Sequence, residues 1–321
     1  MPGTFPVSRR QLSRLLFGFL VWLYSGMPRP VGTQMPIEPR IDGHKPLILA
    51  PDSPDLWPGF RQQLTEWRDQ ARQELHYDDV RYRDESTSWA QSSLSSCFVM
   101  LCDATFFDHE LGQYRVREFL QQAQSDFGGF DNLILWHAYP RIGADDRNQF
   151  DFYRDMPGGL QGIRDVVRRC HRFGVRAFVV YKPWDVGTRR EVLSDVALLA
   201  ELVELTEADG VYLDTMPVAP DGLRQALDGI RAGLVIEGEG ELPLASIQDH
   251  HMSWAQHFED SHVPGVLRNK WFERRHMMHQ TARWSRDHIP QLHTAWMNGA
   301  GMVIWENVFG SWVGWSARDR A

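Results

Sequence analysis

Cysteine is scarce. The three present in 321 residues, Cys97, Cys102 and Cys170, have no metal-ligand spacing and cannot all pair. Neither a disulfide framework nor a zinc site therefore organises the chain. Cys97 and Cys102 lie in an apolar run and Cys170 on an apolar helical stripe. All three read as small buried hydrophobes. Basic residues are also in deficit: 34 Lys and Arg against 42 Asp and Glu leave a net charge of −8, spread along the chain. Nucleic acid and anionic membrane surfaces require basic patches, so neither is an expected partner. No G-x-G-x-x-G and no G-x-x-x-x-G-K-[ST] occurs, and with them go the usual cradles for dinucleotides and nucleoside triphosphates. No H-E-x-x-H occurs either. No metal and no cofactor is expected.

Long apolar runs are missing as well. The longest, Leu15 to Met27, has 13 residues, too few to span a bilayer. It follows Arg9-Arg10, and a basic stretch before such a run suits a secretory signal or an uncleaved anchor over residues 1–30. Export, to the periplasm or the outside, is the expected location and the cytoplasm the alternative, with no membrane partner beyond that anchor. Residues 31–96 read as a Pro-rich linker and a leading helical segment, in which Phe60, Leu64, Trp67, Ala71 and Leu75 recur at helical spacing. The polar stretch from His76 to Ser96 closes that segment.

What is present from residue 97 onward is a βα rhythm. Short apolar runs appear at Cys97–Cys102, Leu133–Trp136, Arg176–Tyr181, Gly210–Leu213 and Leu234–Ile236, then at Gly265–Phe272 and Gly301–Trp305. Amphipathic helical patterns separate them, ended by Gly128 and Gly174 in two cases, and Thr188 with Glu191 forms a T-x-x-E start for a third. Arg141 to Gly159 reads as a long polar loop, and the residues after Phe272 as a helix rich in Arg, His and Met. Buried strands alternating with helices predict a parallel sheet covered on both faces. The fold class is α/β, a (β/α)8 TIM-type barrel over residues 97–321. Seven strands are visible, one short of closure. Either Pro46–Pro51 (PLILAP) supplies the eighth, or the frame is truncated at its C-terminal end, and the second reading is preferred.

Barrels carry their reactive groups at the C-terminal ends of strands. Asp103, His137, Lys182, Asp185, Asp214, Glu237, Glu239 and Glu306 all follow strands. Carboxylates converging on one mouth are costly unless used. Glycoside cleavage needs two of them, one protonating the leaving oxygen and one attacking or activating water. Asp214 after strand four and a glutamate on strand five form the natural pair, with Asp214 as nucleophile. Glu237 and Glu239 share strand parity, so both stay open as acid/base, with Glu237 preferred for lying nearer the strand. His137, Tyr139 and Arg141 are candidates for sugar hydroxyls, beside Asp103, Lys182, Asp185 and Glu306. Of the chain's thirteen tryptophans, Trp184 and Trp305 are the candidates to stack on a sugar ring.

The stretch Asp209-Gly210-Val211-Tyr212-Leu213-Asp214-Thr215 resembles the D-G-x-x-x-D strand of retaining α-glycosidases, the GH31, GH66 and endo-α-N-acetylgalactosaminidase-like groups among them. Gly158 to Arg176 is similar to the helix-then-strand unit that precedes that site. The resemblance covers roughly residues 97–310. It implies an Asp nucleophile at Asp214, a glutamate acid/base at Glu237 or Glu239, and hydrolysis of an α-linked sugar in a polysaccharide or glycan. Two other readings compete. One is a non-catalytic carbohydrate-binding barrel, favoured by the missing strand; the other is a metal-dependent hydrolase using the His250-His251 region.

Overall fold

The computed structural model describes residues 41–43, 46–137, 145–183, 187–255, 265–281, 288–306 and 315–320, with backbone only at 255, 305 and 306. Eight strands alternate with helical segments: β1 Ser95–Met100, β2 Asn132–Trp136, β3 Arg176–Tyr181, β4 Gly210–Leu213, β5 Val235–Gly238, β6 Met252–Ala255, β7 Met277–Gln280 and β8 Gly301–Glu306. Every neighbouring pair is parallel, and β8 closes on β1. The barrel is thus complete within residues 95–306, which corrects the expected truncation. The expected sixth strand is also corrected. Gly265–Leu267 lies outside the barrel, antiparallel to Leu47–Leu49 from the PLILAP stretch, and Arg268–Phe272 is a short helix. The Arg-, His- and Met-rich segment contains β7, not a helix.

Alternation along the strands sorts the side chains into two shells. Phe98, Ile134, Trp136, Phe178, Val180, Tyr212, Val235, Met252, Trp254, Met277 and Val303 pack inside the barrel. Cys97, Val99, Leu133, Leu135, Ala177, Val179, Val211, Leu213 and Ile236 face the surrounding helices. The interior is a filled core, as in barrels of this class. Cys97 and Cys170 are buried as expected, while Cys102 is half-buried.

Four helices cover the first half: α1 Val116–Phe127, α2 Gly159–Arg172, α3 Asp195–Thr206 and α4 Leu223–Ile230. Gly128 ends α1 at φ 78°, a left-handed turn that costs glycine nothing. The start of α3 lies later than Thr188: Ser194 is its N-cap, accepting from the Ala197 N–H at 3.3 Å. Glu191 instead binds Arg154 and Asn148. The loop after β2 holds the short helix Gln149–Arg154, opened by an Asn148–Asp151 capping box. The polar stretch after His76 likewise holds a turn of helix and a 3-10 segment.

The leading helix, Trp57–Glu74, packs on the connection between β6 and β7. Ile48, Phe60 and Leu64 form a separate apolar cluster with Trp67, Val266 and Trp271. The Trp271 indole N–H donates to the Leu64 carbonyl at 2.9 Å. No helix among the described residues is long and apolar enough to cross a membrane. Residues 1–30, read as a signal or anchor, lie outside the description.

Candidate active site

Asp214 stands one residue past β4, and its N–H still donates to the Tyr181 carbonyl of β3 at 2.8 Å. Glu239 stands one residue past β5, its N–H on the Leu213 carbonyl at 3.1 Å. Leu213 is paired with Gly238, so the next step along both strands sets Asp214 beside Glu239. Their parity is that of Tyr212, which packs in the barrel interior. Each is 8% exposed. Two carboxylates therefore occupy one level at the C-terminal mouth on adjacent strands.

Both are held by donors. The Trp136 indole N–H reaches Asp214 Oδ2 at 3.0 Å. The Thr215 backbone N–H reaches Glu239 Oε2 at 2.7 Å. Thr215 takes φ 61°, a left-handed conformation unfavourable for a β-branched residue, and that turn aims its N–H. Gly238 lets the turn close, because a Cβ there would lie 2.4 Å from the Pro217 carbonyl oxygen.

Glu237 is elsewhere. It pairs in register with Tyr212, one level deeper than Asp214, and is fully buried. His279 on β7 donates from Nδ1 to Glu237 Oε1 at 2.5 Å and from Nε2 to the Ser93 carbonyl at 2.8 Å. Burial alone would strip this imidazole of its proton, but the Glu237 charge and hydrogen bond together hold its pKa above the ordinary value. Glu237 Oε2 has no partner among the described residues.

The remaining expected residues are distributed. Lys182, fully buried, shares the inward parity of Val180, with its ammonium 5.2 Å from the centre of the Phe152 ring. Gln149 brackets its backbone, accepting from the Lys182 N–H at 2.9 Å and donating to its carbonyl at 3.0 Å. His137 shares the outward parity of Leu135 and stacks on Tyr153 at 4.2 Å. Burial, with Lys182 nearby, depresses its pKa well below the ordinary range, so the ring is neutral. The geometry places it under the Gln149–Arg154 helix, away from the barrel axis. Asp103 is half-buried and closes the turn after β1, accepting from the Thr105 N–H at 2.8 Å. Trp305 and Glu306 are on β8 by backbone alone, and Tyr139, Arg141, Trp184 and Asp185 lie outside the described residues.

The histidines have other uses. His250 accepts from the Ala219 N–H through Nε2, and His276 lies between Tyr82 and Ser253. Among the described residues no group of three or more His, Cys, Asp or Glu side chains is placed to hold a metal. A cavity of about 240 Å³ lined by Arg81, Arg224 and His251 lies at the strands' N-terminal end, opposite the carboxylates. Trp136, Thr215, Gln149 and His279 were not among the expected site residues. For Trp136 the signal was available, since alternation from Ile134 turns it to the same side as Asp214.

No protein-family model and no curated protein matches the chain. Solved structures do. An α-N-acetylgalactosaminidase from Bifidobacterium bifidum in complex with GalNAc is 13% identical with a TM-score of 0.49, covering 80% of this chain and 53% of its own. An α-amylase from Lactobacillus plantarum is 12% identical with a TM-score of 0.35, over 52% of this chain and 53% of its own. An α-amylase from Geobacillus thermoleovorans, complexed with acarbose, is 14% identical with a TM-score of 0.31, over 47% of each chain. The chain thus spans about half the length of these structures.

Proposed function

We propose that this chain is a retaining glycoside hydrolase, with Asp214 as nucleophile and Glu239 as acid/base. The observation that carries the reading is the side-by-side placement of these two inward-facing carboxylates at the mouth. Neighbouring parallel strands lie about 4.8 Å apart, which suits the ~5–5.5 Å carboxyl separation of a retaining mechanism better than the wider inverting one. Glu237, preferred from its position in the sequence, is committed to His279 and sits below this level. The α-configuration of the substrate rests on the D-G-x-x-x-D resemblance of β4.

In the first step Glu239 gives its proton to the glycosidic oxygen while Asp214 attacks the anomeric carbon. The C–O bond to the leaving group breaks and an ester to Asp214 forms. In the second, Glu239 as carboxylate takes a proton from water, whose oxygen displaces Asp214. Both carboxyl groups return to their starting states. None of these steps calls for a cofactor.

Hydrolysis of a panel of 4-nitrophenyl α- and β-glycosides, with wild type beside Asp214→Asn, tests this. Turnover that disappears in the variant supports the nucleophile, and the hydrolysed substrate names the sugar. No turnover, with both proteins binding glycans equally, replaces the reading with the carbohydrate-binding barrel. That alternative drew its support from an open frame, and the frame is closed.

A further inference from the structure

The Asp214 carboxylate accepts from a tryptophan on a strand that is not its neighbour. Trp136 is the last residue of β2, and β3 lies between it and β4. Two strand spacings amount to about 10 Å, a gap that only a long side chain bridges. The indole is 1% exposed and packs against Phe98, ring centres 5.6 Å apart. Its own carbonyl is fixed by the Leu101 N–H at 2.8 Å. It therefore points from a rigid base. An indole N–H is a donor only, so it interacts more strongly with a carboxylate than with a carboxylic acid.

We propose that Trp136 is a positioning residue that fixes the Asp214 carboxylate in one orientation and favours its charged form. The inference rests on Asp214 being the nucleophile, but the link itself is testable without turnover. A nucleophile free to rotate spends part of its time misaligned, and a 1 Å misplacement at a reacting centre is enough to slow catalysis strongly. A donor that prefers the charged form also keeps the nucleophile ionised at lower pH.

The test uses the full chain with ¹⁵N-labelled tryptophan. The indole signal lost in Trp136→Phe belongs to Trp136. That signal should shift as the pH falls through the titration of Asp214, and Asp214→Asn should abolish the shift. A Trp136 signal that does not titrate, or titrates identically in Asp214→Asn, overturns the proposal whatever the enzyme's activity. The kinetic arm uses the aryl glycoside that the wild type hydrolyses. Trp136→Phe keeps an aromatic ring in the core and deletes the N–H. It should lower kcat by up to about 100-fold, with little change in KM, and move the acidic limb of kcat/KM to higher pH. Unchanged kcat and acidic limb, in a protein where Asp214→Asn is inactive, would reject positioning while leaving the nucleophile in place. Activity surviving in Asp214→Asn would reject the nucleophile instead.

Discussion

His279 and Glu237 are hydrogen-bonded to one another across the barrel interior, and neither side chain reaches solvent. Breaking such a pair from one side strands a buried charge, which costs about 3–5 kcal/mol. His279→Gln should therefore lower the stability by that amount, and Glu237→Gln added to it should restore a large part. Equal losses in the single and double variants in urea denaturation would rule the coupling out.

The same pair gives the fold a pH dependence. The His279 pKa is raised in the folded chain, so its stabilising effect is complete below the unfolded value of about 6.5. That contribution declines as the pH rises above 6.5 and is lost once the pH passes the folded value. The melting temperature of wild type should fall on the alkaline side more steeply than that of the Glu237→Gln/His279→Gln double variant. Parallel curves for the two would mean that His279 is neutral.

Glu239 and Glu237 should separate by function. Glu239→Gln is expected to lose about 10²- to 10⁴-fold in kcat on poorly activated substrates. With 2,4-dinitrophenyl glycosides, whose leaving group needs no proton, the loss in the first step should be far smaller. Glu237→Gln should show no such leaving-group dependence, its main effect being on stability. The reverse pattern would return the acid/base role to Glu237.

Gly238 carries no side chain because the Pro217 carbonyl occupies that space. Gly238→Ala must displace the turn that follows Asp214 and with it the Thr215 N–H. A stability loss of about 1–3 kcal/mol, together with a fall in kcat, is expected from thermal unfolding and turnover. Full activity in this variant would show that the turn does not position Glu239.

Gln149 makes two hydrogen bonds to the Lys182 backbone. Gln149→Leu removes both bonds, at a cost of about 1–3 kcal/mol. A melting temperature unchanged from wild type would show that water replaces the glutamine.

The legible parts of the sequence were those where one physical signal acted alone. β3 and β4 are continuous apolar runs between polar ends, and their observed limits equal those read from the pattern. β6 and β7 escaped because Ser253, His279 and Gln280 interrupt the runs; Ser253 bonds His276 and His279 bonds Glu237 inside the barrel. Arg274 and Arg275 beside β7 added a helical look. The Gln149–Arg154 helix was hidden by its charge, although Asn148 and Asp151 spell a capping box. Between Glu237 and Glu239, alternation gave the direction of each side chain but no depth. Depth came from the Leu213–Gly238 register, a relation between strands that no single segment contains.

The contact between Trp271 and Leu64 joins residues 207 apart. During synthesis the leading helix is made long before the surface that receives it. At ~5–20 residues per second, that interval is roughly 10 to 40 s. Through it Phe60, Leu64 and Trp67 lack the surface that buries them, and most of a helix's stability in a protein comes from packing of its apolar face. The leading helix is thus made before the barrel and docks only after most of it.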